Sequence, residues 1–457
     1  MRKLRNQETA QIESSLYRSF VVIPKLTICI IWGTITKINK MNERILIDIG
    51  SSTVKVYKQT SNSVFLLLAR SIAFKNEFDP VKGISEGAKK ELYELITEIK
   101  EKNPDAMIKL YATAIFRKLE PETRRELVDE FFLRTGLYFN IITQEIESFY
   151  LRVSLVSKYE SSEPVLLINI GGGSTEFVVM YGKEAVEVKN VDMGVGTILT
   201  EFPKINDSKA GVSVEEAKKF VNAKLPPLSN KVKIAFYSGG ELNYMQLTSY
   251  NLKTNSLFKD NDHPSIISLG DFAKRNAEVF EKVTLKELEE LMPENPTWMH
   301  GARACSALAQ AICEKYGVET IVPSNSNLIN GVARQEFRHV TISGSFRKHL
   351  EHILKIRKQL VEKGTEVLSP RFIEPKNPGE EFVVFGGEEG MSPLELERHY
   401  LHSIKESDTL IVCDPEGYVV ASTLIEIGYA QALGKRIIFD EKPEEFMLNT
   451  LPAEIGL

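Results

Sequence analysis

Two glycine-rich turns carry the residues best suited to chemistry: Asp48-Ile-Gly-Ser-Ser-Thr53 and, further along, Asn169-Ile-Gly-Gly-Gly-Ser-Thr-Glu176. Each follows an apolar, β-branched run. Glycines at such a turn let backbone N–H groups approach an anion closely, and small hydroxyl side chains add donors without bulk. Gly50, Ser51 and Ser52 in the first turn, and Gly171, Gly172, Gly173, Ser174 and Thr175 in the second, are therefore candidate phosphate-binding residues. An ordinary hairpin accounts for either turn alone. Two copies, each behind a buried strand, point to two similar lobes closing on a phosphate chain. A third candidate lies near the C-terminus, where Ser343-Gly344-Ser345-Phe346-Arg347 stands between a strand and a helix and its N–H groups and guanidinium fork suit a phosphate or carboxylate. Glu426, early in a later helix, faces a ligand or answers the helix dipole; spacing alone leaves both readings open.

The elements that must hold these residues alternate strand-like and amphipathic helical stretches, the pattern of an α/β fold. Strands are expected at 44–49, 54–58, 63–69, 107–112, 165–170, 175–180 and 233–237. Capping boxes at Ser213/Glu216 and Thr284/Glu287 open two helices, and a third runs from Arg303 to Lys315. One globular unit ends near His339. A second starts at Val340-Thr-Ile-Ser-Gly344 and runs through a Pro/Gly-rich loop (369–393), a helix (394–406), a strand (408–413), a helix (423–433) and a strand (436–439). That order predicts a small doubly wound parallel α/β sheet with ligands at the carboxyl ends of its strands. No internal sequence repeat is visible.

With 457 residues, 43% hydrophobic, 26% charged and a net charge of −5, the chain is neither disordered nor basic enough for sequence-independent nucleic-acid binding. Small-molecule partners are expected instead, with no nucleic acid. Cys29, Cys305, Cys313 and Cys413 are scattered without metal-ligand spacing, which suits free thiols in the cytoplasm. His349/His352 and His399/His402 read as solvated helix pairs. Residues 1–40 join early positive charge to an apolar run split by Pro24 and Lys25, too short for a membrane span. Met41 stands directly before the first strong strand, so translation is expected to begin there and 1–40 to be a gene-model extension. No coiled-coil pattern is present, and a twofold homodimer is the default expectation.

Residues 41–338 resemble the exopolyphosphatase/guanosine pentaphosphate phosphohydrolase (Ppx/GppA) family. The resemblance rests on both glycine turns, Ala112-Thr-Ala-Ile-Phe-Arg117, Ile142-Thr-Gln-Glu-Ile-Glu147, Asp192-Met-Gly-Val-Gly-Thr197, Ser238-Gly239-Gly240-Glu241 and Val322-Pro-Ser-Asn325…Gly331. It implies an actin-like (ribonuclease H-like) two-lobed ATPase-type fold, with lobes at 41–165 and 166–338. It also implies magnesium-dependent hydrolysis of terminal phosphoanhydrides in short polyphosphate or a phosphorylated guanine nucleotide. On this resemblance Glu147 orients and deprotonates the attacking water, with Glu145 as the competing base. Arg117 stabilises charge on the transferred phosphoryl group, Asp48 and Asn169 stand at the metal, and Gly239 and Gly240 line the phosphate site. Asn169 departs from the family's aspartate and removes a charge from that metal site. A sugar-kinase-like use of the fold is disfavoured by Glu147, which implies water as acceptor.

Residues 340–457 are similar, over about 340–440, to the nucleoside 2-deoxyribosyltransferase and deoxynucleoside-monophosphate N-glycosidase superfamily. The shared pieces are the Gly-Ser-x-Arg turn, the helix leading to Ser407-Asp408, and Glu426-Ile-Gly-Tyr-Ala-Gln-Ala-Leu-Gly-Lys435. The resemblance implies a nucleoside or nucleotide partner, with Glu426 attacking the anomeric carbon. Val420 and Tyr400 stand where many members carry sugar- and base-positioning polar groups. With Asn169 they motivate the rival reading, a nucleotide-sensing regulatory protein with weakened catalysis.

Overall fold

The computed structural model describes residues 43–457, apart from 61–62, 157–158, 160–162, 183, 208, 240, 294, 378–379 and 381–382. The expectation for residues 1–40 and Met41 falls outside the described residues. Three sheets organise the rest. The first contains β1 (Arg44–Ile49), β2 (Thr53–Gln59), β3 (Val64–Ser71), β4 (Met107–Ala112) and β5 (Phe139–Ile141) in the order β3-β2-β1-β4-β5. The second is built from β6 (Val165–Ile170), β7 (Thr175–Tyr181), β8 (Glu184–Val191), β9 (Ile234–Ser238), β10 (Lys253–Thr254), β11 (Ser265–Ser268) and β12 (Thr320–Pro323). Its strands β8-β7-β6-β9-β12 repeat the first sheet: an antiparallel three-strand meander, then two parallel strands. β11 and β10 extend its far edge. The duplication absent from the sequence is thus present in the topology.

The strand sequences explain why both sheets are covered on two faces. In β1, Ile45, Ile47 and Ile49 join one apolar cluster and Leu46 another; in β6, Leu166 and Ile168 face one cluster and Val165 and Leu167 the other. Near-continuous apolar runs are what such strands need. The helices that matter for the site are α1 (Glu86–Lys102), α2 (Pro121–Thr135), α3 (Gln144–Val156), α4 (Val195–Glu201), α5 (Val214–Lys224), α6 (Ala302–Tyr316) and α7 (Leu328–Arg334). The capping boxes at Ser213 and Thr284 both form.

Helix α3 joins the lobes. Phe149 and Tyr150 pack with Leu46, Tyr57 and Tyr111 of the first sheet, whereas Leu151, Leu155 and Val156 pack with Leu167, Val178 and Phe236 of the second. Helix α7 returns to the first lobe, where Ile329 and Val332 complete the cluster around Tyr150. A Cβ on Gly331 would stand 2.0 Å from the Tyr150 carbonyl oxygen, so only glycine permits this crossing. The expected second lobe, 166–338, is therefore corrected at its end: 328–334 pack in the first lobe.

The third sheet contains β13 (His339–Gly344), β14 (Glu366–Ser369), β15 (Thr409–Cys413), β16 (Arg436–Phe439) and β17 (Glu454–Ile455) in the order β14-β13-β15-β16-β17, all parallel. Helix α8 (Phe346–Glu362) covers one face through Ile353, Ile356 and Leu360. Helices α9 (Pro393–Glu406) and α10 (Ala421–Ala432) cover the other through Ile404, Ile427 and Ala430. β14 occupies the segment just before the expected loop. Glu336, between α7 and β13, ties this unit to the first lobe. Its carboxylate pairs with Lys109 (2.7 Å), with Arg44, and with Arg436 of β16 (2.6 Å), and Arg436 in turn pairs with Glu454 (2.7 Å). Among the described residues, no helix is long and apolar enough to cross a membrane.

Candidate active site

The two glycine turns occupy equivalent places, between β1 and β2 and between β6 and β7, and close with the same bond. Gly50 N–H donates to the Thr53 carbonyl (3.0 Å) and Gly171 N–H to the Ser174 carbonyl (2.8 Å). This corrects one expectation: those two N–H groups shape the hairpins and are not offered to a phosphate. Thr175 is corrected too, since its buried hydroxyl donates to the Met193 carbonyl (2.6 Å). Gly172 and Gly173 are exposed, and Ser51, Ser52 and Ser174 are also reachable from solvent. Gly239 takes φ +114° directly after β9, and Gly240 lies outside the described residues.

The second turn is held from behind by the segment entering α4. Val195 N–H donates to the Gly171 carbonyl (3.0 Å) and Gly196 N–H to that of Gly172 (2.7 Å). A Cβ on Gly194 would stand 2.3 Å from the Gly171 oxygen. Gly194→Ala is therefore expected to push the turn out of place, costing about 1–3 kcal/mol of stability in a denaturant titration.

Three carboxylates meet at the mouth between the turns. Asp48, next to last in β1, lies opposite Lys55, and Asn169, next to last in β6, lies opposite Glu176. Burial pushes Asp48 up to about 6 against the pull of Lys55, with Glu147 adding to the rise. Burial also holds Glu176 well above the usual carboxylate range, Glu147 adding to the rise and Arg117 opposing it; its Oε2 is buried without a hydrogen-bond partner. Glu147, in the first turn of α3, pairs with Arg117, whose other Nη donates to Gln144 Oε1 (2.6 Å). Arg117 sits in a short 3₁₀ turn, Ala114–Lys118, entered through Ala114 at φ 49°, a left-handed conformation costly for a non-glycine residue.

The sequence reading missed several charged residues here. Glu176 is the last residue of a motif already singled out, and its sign was a carboxylate opening an otherwise apolar strand. Lys75 Nζ lies beside the second turn, 3.5 Å from where a Gly172 Cβ would be. Burial and neighbouring Lys118 both lower its affinity for a proton, so an anion there would be welcome. Glu241, in the Ser-Gly-Gly-Glu stretch, is pushed by burial up to about 7 beside Tyr237 and Cys305. By contrast Glu145, the competing base, is exposed and points to Arg338 (3.5 Å). Asn169 does not replace the missing charge: its Oδ1 accepts from the Ser238 hydroxyl (3.3 Å).

A second cluster lies at the carboxyl ends of the third sheet. Gly344 takes φ +151°, and a Cβ there would meet the Cys413 carbonyl at 2.5 Å. Ser345 is buried at the start of α8, while Arg347 is exposed. Burial pushes Glu426 up to about 8, with neighbouring Ser343 opposing and Glu397 adding to the rise. Glu426 Oε2, Glu397 Oε1, Tyr400 OH and Thr423 Oγ1 are all buried without hydrogen-bond partners, an arrangement a polar ligand would relieve. Glu397, one turn before Tyr400 in the preceding helix, is the acid whose charge adds to the rise at Glu426.

A duplicated α/β lobe pair with a glycine turn in each half and acidic groups between them defines the actin-like class of phosphate-handling folds. Within that class the chain belongs to the Ppx/GppA phosphatase family, whose pattern matches residues 56–297, more than half of its length. The Aquifex aeolicus member of the Ppx/GppA protein family is similar in structure, with a TM-score of 0.51 and 17% identity, covering 70% of this chain and 98% of that one. An Aquifex aeolicus PPX-GPPA enzyme has a TM-score of 0.50 at 19% identity, over 64% and 98% of the two chains. An exopolyphosphatase from Cytophaga hutchinsonii has a TM-score of 0.51 at 14% identity, over 64% and 96%. No curated protein sequence matches the chain.

Proposed function

We propose that the two lobes hydrolyse the terminal phosphoanhydride of short polyphosphate or guanosine pentaphosphate. The observation that carries this reading is the Arg117–Glu147 pair set between two glycine turns, with Asp48 and Glu176 alongside and Lys75 over the second turn. The turns and Lys75 hold the phosphate chain, Arg117 meets charge developing on the terminal phosphoryl group, and Glu147 takes the proton of the attacking water. Buried carboxylates so near one another, one with an unpartnered oxygen, suit a hard divalent cation. Asp48, Glu176 and the Asn169 amide would hold Mg²⁺, which when bound supplies positive charge to the phosphate oxygens. Phosphate release from short polyphosphate, guanosine pentaphosphate and ATP, with and without a chelator, tests this. Chelator-sensitive release from at least one is expected. Binding without release from any would overturn hydrolysis and favour the nucleotide-sensing reading, which the engagement of Asn169 with Ser238 supports.

For the third unit we propose nucleoside or nucleotide binding at the Glu426 cluster, with cleavage of the N-glycosidic bond as its chemistry. The carboxylate attacks the anomeric carbon only when ionised. Because burial pushes Glu426 up to about 8, base release from deoxynucleosides or their monophosphates should rise as pH rises toward 8. Glu426→Gln should abolish it while leaving binding; binding without base release in the unaltered chain would make this unit a sensor. The described cysteines are buried and unpaired, which supports a reducing, cytoplasmic setting.

A further inference from the structure

A cleft of about 780 Å³ separates the first lobe from the third unit, distinct from both clusters above. Its size lies within the range of small-molecule pockets. One wall is α2 with the start of α3, and the other is the end of α10 with the turn into β16. Val128, Ile146 and Leu433 supply apolar surface. Arg124, Arg125 and Lys435 supply charge, and among the described residues none of these three makes an ion pair. Arg124 and Lys435 spend their donors on carbonyl groups: Arg124 on Arg117 (2.8 Å) and Leu119 (3.4 Å), Lys435 on Lys405 (2.6 Å) and Ser407 (2.7 Å). Arg124 Nε is buried with no partner. Asp129, Glu336 and Asp408 line the cleft too, but Glu336 is paired with Arg436 (2.6 Å) and Asp408 with Arg338 (2.9 Å), so Arg124, Arg125 and Lys435 leave it net positive, and with its apolar walls it suits a ligand with a flat, weakly polar body and a phosphate tail.

The cleft also backs directly onto the catalytic pair. Thr143 and Ile146 line it, whereas Gln144 and Glu147, from the same turn of α3, face Arg117. Arg124 holds the backbone of Arg117 itself. We propose that this cleft binds a nucleoside phosphate, and that its occupant alters phosphate release by drawing on Arg124 and shifting the Arg117–Glu147 pair. Arg124 is then a positioning residue. The regulatory half of the proposal rests on the hydrolase reading above; the binding half does not.

The test uses the full chain with ADP and GDP as probes. Calorimetry should show one of them binding, and Arg125→Glu and Gly428→Phe should weaken that binding about fivefold or more. Gly428 lines the cleft, and a Cβ there meets nothing within 4 Å, so Phe can fill the space without displacing neighbours. With short polyphosphate as substrate, the probe should change kcat by a similar factor, and the change should vanish in Arg125→Glu relative to that variant's own basal rate. Binding unaffected by both cleft variants, or no binding of either probe, would overturn the proposal. An effect on KM alone would place the nucleotide in the catalytic mouth and overturn it as well. If the chain hydrolyses nothing, the calorimetric comparison still decides whether the cleft is a site.

Discussion

Glu147→Gln is expected to reduce phosphate release by about 10²- to 10⁴-fold, the span of a general base's contribution, while binding of polyphosphate or nucleotide survives. The amide keeps the shape of the side chain and can still accept from Arg117. It cannot take a proton, so the loss should appear in kcat and leave KM nearly unchanged. Glu147 has the position for this role because α3 begins at the lobe junction, its first turn anchored by Ile146 N–H on Thr143 Oγ1 (3.3 Å) and Glu147 N–H on the Thr143 carbonyl (3.0 Å). Turnover unchanged in steady-state phosphate assays would remove Glu147 as the base. Glu145, exposed and paired with Arg338, is expected to tolerate the same change.

The second large effect is on stability. Glu336→Ala should cost about 3 kcal/mol, the lower end for breaking a buried pair, because Lys109, Arg436 and Arg44 lose a carboxylate and the buried Lys109 and Arg436 keep only Glu454. Burial alone would raise the Glu336 carboxyl, but Lys109, Arg436 and Arg44 together hold it well below its ordinary 4.5. A carboxyl depressed on folding contributes stability above its unfolded value and loses it as pH falls through the folded one. The unaltered protein should therefore lose stability as pH drops below 4.5, and Glu336→Ala should lack that component of the loss. Denaturant titrations at neutral and acid pH measure both. Equal midpoints for the two proteins at neutral pH would show that the network contributes nothing net.

Much of this architecture is legible in local sequence. Apolar runs such as Arg44–Ile49 and Val165–Ile170 mark strands covered on both faces, and the Ser213 and Thr284 capping boxes announce their helices through side chains within three residues. The glycine turns are equally local. What escaped depends on distance. β8 is an exposed edge strand whose residues carry little apolar pattern, so nothing in Glu184–Val191 signals that it completes a second copy of the first sheet. Lys75 reaches Gly172 only because the lobes face each other. Thr175 looked like a phosphate donor until the return of the chain at Met193 claimed its hydroxyl. Glu397 and Tyr400 share one helix, and only the packing of α9 against α10 shows which acid acts on Glu426.

The crossing at Gly331 has a consequence for the order in which the protein can be made. Tyr150 and its apolar neighbours in the first lobe receive Ile329 and Val332 from a segment translated after the whole second lobe. While the ribosome is still producing residues 166–327, the first lobe carries an uncovered apolar surface and α3 lacks one of its supports. The helix that carries Glu147, the proposed base, therefore becomes fixed late in synthesis, and release of a chain cut before Leu328 should yield a product that aggregates rather than a folded protein of lower activity.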